Sequence, residues 1–202
     1  MIAIINYGMG NLGSMNNMFK RIGVKASIES QLGRIEQAEK LVLPGVGSFD
    51  AAMNRLNAIT GLRDLLEDKV MNEKIPILGV CLGMQILTSA SEEGRQPGLG
   101  WIKGEAKRFP RHDTLKVPHM GWNIASRESA SLLTKNIGNE SRYYFVHSYY
   151  VRVDNQSHSI MRTHYGFGFD SAIGNKNIYG VQFHPEKSHR FGMQILKNFS
   201  EI

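Results

Sequence analysis

The chain has one cysteine, Cys81, in the run Ile77-Leu78-Gly79-Val80-Cys81-Leu82-Gly83-Met84-Gln85, with a glycine two residues before it and another two residues after. Gly-x-nucleophile-x-Gly is the spacing of a nucleophile elbow. A buried strand ends, the chain turns sharply into a helix, and the glycines make room for the turn that drives one side chain out at the end of the sheet. A thiol placed there lies at a helix N-terminus, whose dipole favours the nucleophilic thiolate. The amide of Leu82 would point towards an oxyanion developing beside it. A lone cysteine in apolar surroundings is otherwise a small buried hydrophobe. Such a residue needs neither glycine, so the spacing turns the reading towards chemistry.

A second constellation lies near the C-terminus, where residues 178–188 read Ile-Tyr-Gly-Val-Gln-Phe-His-Pro-Glu-Lys-Ser. A strand over Tyr179 to Phe183 would deliver His184 at its end, where Pro185 stops the pairing and turns the chain. Glu186 follows two residues on, close enough to hydrogen-bond back to the imidazole. Thiol, proton-shuttling base and base-orienting acceptor are the set that cysteine-nucleophile acyl transfer requires. The other six histidines, at 112, 119, 147, 158, 164 and 189, read at first as surface or capping residues. There is no HExxH motif, and one cysteine cannot make a CxxC pair, so the sequence offers no metal site.

These residues need a scaffold, and the first half of the chain supplies its pattern. Residues 2–5, 24–29, 40–44 and 76–80 read as strands, the continuously apolar ones as buried and parallel. Between them, 12–22, 48–57 and 60–73 carry apolar residues at helical spacing, as in Leu62, Leu65, Leu66 and Val70. The alternation predicts α/β architecture: a central, mostly parallel sheet flanked by helices. From Gly98 onward the texture becomes strand-rich, and a closing helix is expected over His189 to Phe199. With no repeat, low-complexity segment or linker, the whole of 1–202 is expected to form a single domain.

Bulk properties narrow the function further. The formal charge of +6 comes from basic residues scattered along the chain, not from a stripe interleaved with aromatics, so nucleic acid is not an expected partner. A merely basic surface is the better reading, and it could equally serve an acidic protein partner. The start, MIAIINYG, reads as a first strand and not as a leader, and no run approaches a spanning helix. With a single cysteine, these features predict a cytoplasmic protein that is not membrane-bound.

Together the two motifs resemble those of the class I (triad) glutamine amidotransferases. Pro44-Gly45-Val46-Gly47-Ser48-Phe49, Lys116-Val117-Pro118-His119-Met120-Gly121-Trp122-Asn123 and Tyr144-Phe145-Val146-His147-Ser148-Tyr149 are similar to one branch of that family, the glutaminase subunits of imidazole glycerol phosphate synthases. The resemblance runs from Asn6-Tyr7-Gly8 to Asn198-Phe199. It implies an α/β sandwich, hydrolysis of L-glutamine through a γ-glutamyl thioester on Cys81, His184 as proton carrier, Glu186 as its orienter, and no cofactor. It implies that the amide of Val46, if its peptide turns inward, joins that of Leu82 in the oxyanion hole. Gly47, Gln85, His147, Ser148 and Tyr149 would hold the substrate glutamine. The implied partner is a (β/α)₈-barrel cyclase in a heterodimer, faced by Tyr7 to Leu12 (Asn11 among them), His119 to Trp122 (including Met120) and Lys187. Core packing is an equally good reading for Met120 and Trp122.

Three alternatives stay open at this level. Gly8-Met9-Gly10-Asn11-Leu12-Gly13 matches the GxGxxG of dinucleotide-binding proteins, with Glu29 near where a ribose-binding acid would sit. That reading explains neither the elbow nor His184-Pro185-Glu186. An independent thiol hydrolase is a second, although in the α/β-hydrolase order the acid precedes the histidine. The third starts from Asn6, where many relatives carry Asp: a paralogous glutaminase whose ammonia amidates a surface-polysaccharide sugar. A non-catalytic regulatory subunit is disfavoured by the presence of all three triad residue types.

Overall fold

The computed structural model describes residues 1–110 and 115–202, so His112 lies outside the described set. The apolar runs of the first half form β1 (Ile2–Ile5), β2 (Ala26–Glu29), β3 (Lys40–Gly45) and β4 (Ile77–Cys81). All four residues of β1 and all five of β4 are buried, as expected for parallel strands covered on both faces. The pairing is parallel from β2 to β1, β1 to β3 and β3 to β4.

Short strands β5 (Ala90–Ser91) and β6 (Gly104–Arg108) follow, then β7 (His119–Ile124), β8 (Ser126–Arg127), β9 (Arg142–His147), β10 (Tyr149–Val153), β11 (Ser159–Tyr165), β12 (Phe167–Asn175) and β13 (Ile178–Val181). The last strand crosses back to lie parallel to β4 and antiparallel to β12. One continuous sheet therefore runs β2-β1-β3-β4-β13-β12-β10-β6-β5, with β11 and β8 continuing from β12. Strands β7 and β9 form a separate antiparallel ribbon.

Alternate residues of the central strands serve opposite faces. Ala3, Ile5, Leu41 and Leu43 pack with Phe49, Met53, Leu56, Leu62 and Leu66, on helices α3 (Phe49–Ala58) and α4 (Leu62–Glu67). Ile4 and Val42 pack the other way, against Met15 and Phe19 of α1 (Leu12–Arg21) and Ile195, Leu196 and Phe199 of α6 (His189–Glu201). The result is a three-layer sandwich of helix, sheet and helix.

Several boundaries differ from those expected, for identifiable reasons. A five-residue helix, α2 (Leu32–Glu36), escapes the sequence pattern because it has no side-chain N-cap hydrogen bond and buries only Ile35. The helix expected over 60–73 is α4 followed by a π-helical turn at Asp68–Asn72. The helix after Cys81, expected to reach Ala90, is the short α5 (Leu82–Ile86). Its last carbonyls are claimed from outside: Leu99 donates to Ile86 O at 2.8 Å and Ile102 to Leu87 O at 3.2 Å. Strand β13 stops two residues short of Phe183, because the chain changes neighbours there. Gln182 N still bonds Ser171 O on β12, whereas His184 N bonds Tyr144 O on β9, both at 2.9 Å.

A very close approach of backbone to backbone lies between α5 and β3. A Cβ added at Gly83 would sit 1.8 Å from the Leu43 carbonyl oxygen, and one at Gly79 would sit 2.6 Å from Gly83 O. Both distances are far inside contact, so the strand-to-helix turn closes only with hydrogen at these positions. Gly13 on α1 is the opposite case, with nothing within 4 Å of an added Cβ. Gly83→Ala is accordingly expected to destabilise the chain by about 1–3 kcal/mol or more through overpacking, lowering the melting temperature by roughly 3–10 °C. Gly13→Ala should raise it slightly, since alanine stabilises a helix by up to about 1 kcal/mol over glycine. Thermal denaturation followed by circular dichroism reads both. Equal melting temperatures for the two variants would contradict this account of the elbow.

Candidate active site

Cys81 ends β4 and opens α5 with φ 55° and ψ −109°. A side chain with a Cβ rarely adopts positive φ, and such strain persists only where the surroundings enforce it. Here β3 and β13 hold β4 on both sides, with Gly45 opposite Cys81 in register. The neighbour after Gly45 is Val46, which is exposed and shares a cavity with Leu82. The Leu82 amide lies in the first turn of α5 and has no intrahelical partner. Gly47 continues this segment at φ 104°. Tyr7, expected at a partner-facing surface, is instead buried under the segment and donates its hydroxyl to Pro44 O at 2.8 Å. Burial, reinforced by the charge on Cys81, pushes its phenol well above the usual range.

His184 reaches the same cavity from the loop after β13. Its Nδ1 donates to Glu186 Oε1 at 2.9 Å, with both side chains almost fully buried. Ser188 fixes the loop by accepting from Tyr144 N at 2.9 Å and donating to His184 O at 2.6 Å. Burial opposes charge on the imidazole, but Cys81 and Glu186 outweigh it through hydrogen bonding and charge, and His184 is pushed up to about 10. In the resting arrangement Nε2 nevertheless lacks an aligned hydrogen bond. Thiol and imidazole are thus coupled by proximity and charge before they are aligned, as in many unliganded enzymes whose catalytic bonds tighten with substrate.

The cavity measures about 320 Å³, within the range of small-molecule sites. It brings Val46, Gly47, Cys81, Leu82, Gln85, His147, Ser148, Tyr149 and His184 to one wall or another. Glu186 stands behind His184. Sequence reasoning missed Glu93, which lines this cavity and accepts a 2.8 Å hydrogen bond from the Phe49 amide. The carboxylate suits a substrate ammonium group. It sits in the loop after β5 and shares no motif with the triad, so only a patterned loop twelve residues past the nucleophile could have hinted at it.

A hydrogen-bond chain explains why two histidines are buried here. His147 Nδ1 lies 2.7 Å from Tyr149 O, a pure acceptor, so that nitrogen carries the proton. His147 Nε2 must then accept, and His119 Nδ1 donates to it across 2.9 Å. His119 Nε2 in turn accepts from Asn123 Nδ2 at 3.2 Å. Both rings are neutral, since burial pulls His119 down to about 4 and His147 down to about 3. His119 is only 2% exposed, which corrects its expected place on a partner-facing surface: inward-pointing His119 alternates along β7 with outward-pointing Met120. Met120, Trp122 and Ile124 form the exposed row of β7, and Asn11 and Lys187 are also exposed. Trp122 stacks on His189, and Lys187 lies over the Tyr144 ring. This face borders the cavity, because Met120 pairs in register with the lining residue Val146.

The GxGxxG segment is occupied by the protein itself. A Cβ at Gly10 would meet Pro44 Cβ at 2.9 Å, and Gly8 O accepts from Arg55 at 3.0 Å. These glycines let the first loop pack against the Pro44 to Gly47 segment. Asn6 Oδ1 accepts from Gly8 N at 3.2 Å, a turn-forming bond that an aspartate would make equally well. Among the described residues, no helix is long and apolar enough to cross a membrane and no cluster of three or more metal-ligating side chains occurs.

A family model for glutamine amidotransferase class-I matches residues 3–202. Curated relatives include imidazole glycerol phosphate synthase subunit HisH 2 of Pseudomonas aeruginosa, 50% identical over 202 residues and covering all of both chains. The protein of the same name from Methanococcus maripaludis is 51% identical over 199 residues, 98% of each chain. Among solved structures, a glutamine amidotransferase aligns with a TM-score of 0.78 at 17% identity, over 99% of this chain and 97% of that one. PurLQS from Thermotoga maritima aligns with a TM-score of 0.74 at 17% identity, over 98% and 96%. At such identity the structural likeness concerns the fold. The full-length family match and the close curated relatives establish the rest: the chain belongs to the class I glutamine amidotransferases.

Proposed function

We propose that the chain, working as one domain over 1–202, is the glutaminase subunit of an imidazole glycerol phosphate synthase. It hydrolyses L-glutamine to glutamate and ammonia and passes the ammonia to a (β/α)₈-barrel cyclase partner in histidine biosynthesis. The observation that carries the reading is Cys81, held at φ 55° on the elbow in one cavity with His184, in a chain half identical to HisH relatives over its full length.

The Cys81 thiolate attacks the side-chain amide carbon of glutamine, and the negative charge moves onto the amide oxygen. The Leu82 and Val46 amides are assigned to receive it. Imidazolium His184 gives its proton to the departing nitrogen, ammonia leaves, and a γ-glutamyl thioester remains. Neutral His184 then takes a proton from water, hydroxide adds to the thioester, and glutamate departs as the thiolate re-forms. Glu186 holds Nδ1 so that Nε2 faces the reaction. Gly47, Gln85, Ser148, Tyr149 and Glu93, which line the cavity, are assigned to hold the amino-acid end of the substrate, with His147, also in the lining, supporting the Tyr149 carbonyl. The exposed Met120–Trp122–Ile124 row, with Asn11 and Lys187, is assigned to the partner. A basic chain with an apolar patch beside its cavity suits an acidic rim around an apolar seat.

Cys81→Ala is expected to abolish glutamine-dependent synthesis by the complex and leave ammonia-dependent synthesis intact, since the thiol serves only the covalent half-reaction. In the same variant His184 should titrate below its wild-type value, because the Cys81 contributions that raise it are gone while burial still lowers it. Proton NMR of the imidazole reads the second effect. Loss of both activities in an assembled complex would refute the assignment. Failure of the wild-type complex to make imidazole glycerol phosphate, with glutamine turnover intact, would redirect the ammonia to a different acceptor.

The isolated chain should be a slow glutaminase that the liganded partner accelerates strongly. Pro44 to Gly47 contains two glycines and admits two backbone states, only one of which presents the Val46 amide. A missing oxyanion donor costs about 10²–10³ in rate. A partner that binds the active state more tightly shifts the population. Ammonia release by the chain alone, with partner, and with partner plus acceptor ligand tests this; a free chain as fast as the liganded complex would rule the gate out.

A further inference from the structure

The Cys81 sulfur has two neighbours besides His184. The Val146 carbonyl lies 4.0 Å away, a long contact for a thiol donor. Gln182 Nε2 lies 3.7 Å from the sulfur, within reach of a hydrogen bond to sulfur, and Gln182 is wholly buried. Nothing in the triad mechanism uses Gln182, yet a buried primary amide is costly unless its donors and acceptor are engaged.

The direction of this amide is set by a fixed point. Tyr149 O, a backbone carbonyl, only accepts, so Gln85 turns its NH₂ towards it at 3.2 Å. The same NH₂ group faces Gln182 Oε1 at 3.2 Å. With its oxygen thus engaged, Gln182 has only its NH₂ end left for the sulfur. His147 donates to the same Tyr149 carbonyl at 2.7 Å, which keeps that carbonyl in place.

We propose that Gln182 is a further catalytic residue: its side-chain amide donates to the Cys81 sulfur and favours the thiolate, in an orientation that the Tyr149 carbonyl imposes through Gln85. The inference rests on the glutaminase reading and deepens it. A donor to an anionic acceptor contributes more than one to a neutral group. The amide therefore favours sulfur as thiolate over sulfur as thiol, and it releases that preference when the thioester forms. Other titratable groups face this region: His184 and Tyr7, both coupled to Cys81, Glu186 behind His184, and neutral His147 and Glu93 in the cavity lining. Each remains present when Gln182 alone is changed.

Cys81 is the chain's one cysteine, so alkylation by iodoacetamide, read by mass spectrometry as mass added to this chain, reports on it separately from any thiol of the partner. Rates are measured near pH 7 and at about pH 10 in the complete complex, and their ratio cancels differences in access to the sulfur. Gln182→Met keeps the length and removes the donor. The ratio is expected to fall about tenfold or more, with kcat/KM for glutamine depressed near neutrality and partly recovered at higher pH. Gln85→Met leaves Gln182 in place but removes its orienter, and should lower the ratio by a smaller factor. A ratio within about twofold of wild type in natively folded Gln182→Met overturns the proposal. If that variant fails to fold, an unchanged ratio in Gln85→Met overturns it. Absence of glutamine turnover by the wild-type complex would instead defeat the glutaminase reading itself.

Discussion

Everything at the reactive centre depends on how closely α5 approaches β3. The carbonyl of Leu43 occupies the space in which any side chain at position 83 would begin. That contact sets the angle between strand and helix. The angle places Cys81 at positive φ and projects its sulfur above the sheet's end beside the Val46 segment. The strain at Cys81 costs about 1–3 kcal/mol. It is offset by the buried parallel strands on either side of β4, which have no alternative register that keeps their apolar residues covered. A nucleophile on a loop would be cheaper to build but less well directed.

The second organising feature is electrostatic. Around the sulfur, burial keeps His119 and His147 neutral while the thiol and Glu186 hold His184 towards its charged form. Three imidazoles within one buried region thus have two roles, separated by their partners. Where the partners are carbonyls and other imidazoles, desolvation wins. Where they are the Glu186 carboxylate and the Cys81 sulfur, hydrogen bonding and charge win. The neutral pair is useful because of its fixed tautomers. Asn123, His119 and His147 form a directed chain that ends on the Tyr149 carbonyl, and the same carbonyl orients Gln85 inside the cavity. The β7–β9 ribbon, which bears the exposed apolar row, is thereby tied to the cavity wall by hydrogen bonds that have only one sense.

The GxGxxG segment shows how a motif can be satisfied by a different physical demand. Its glycines permit positive φ and close approach, as a phosphate-binding loop requires, but the approaching groups here are Pro44 and Arg55. The first loop therefore buttresses the Pro44 to Gly47 segment, together with the Tyr7 hydroxyl. Movement of Pro44 to Gly47 would be felt at residues 7–11, next to the exposed Asn11.

The amino-acid sequence by itself determined the α/β class with its central, mostly parallel sheet, the elbow and the His-Pro-Glu turn. Each of these is a local matter: buried parallel strands are continuous apolar runs, a sharp strand-to-helix turn needs flanking glycines, and proline after histidine ends a strand. Only the tertiary structure decided which of two alternating faces His119 occupies, because the alternation puts Met120, Trp122 and Ile124 on one side of β7 and His119, Gly121 and Asn123 on the other, and here the apolar side is the exposed one. It also decided the short length of α5, since the amides that end it come from Leu99 and Ile102. Glu93 and Gln182 reach the site through contacts 44 and 101 residues apart in sequence. Such pairings leave no periodicity to read, and they become visible only when β13 crosses back beside β4 and the loop after β5 closes over the start of α3.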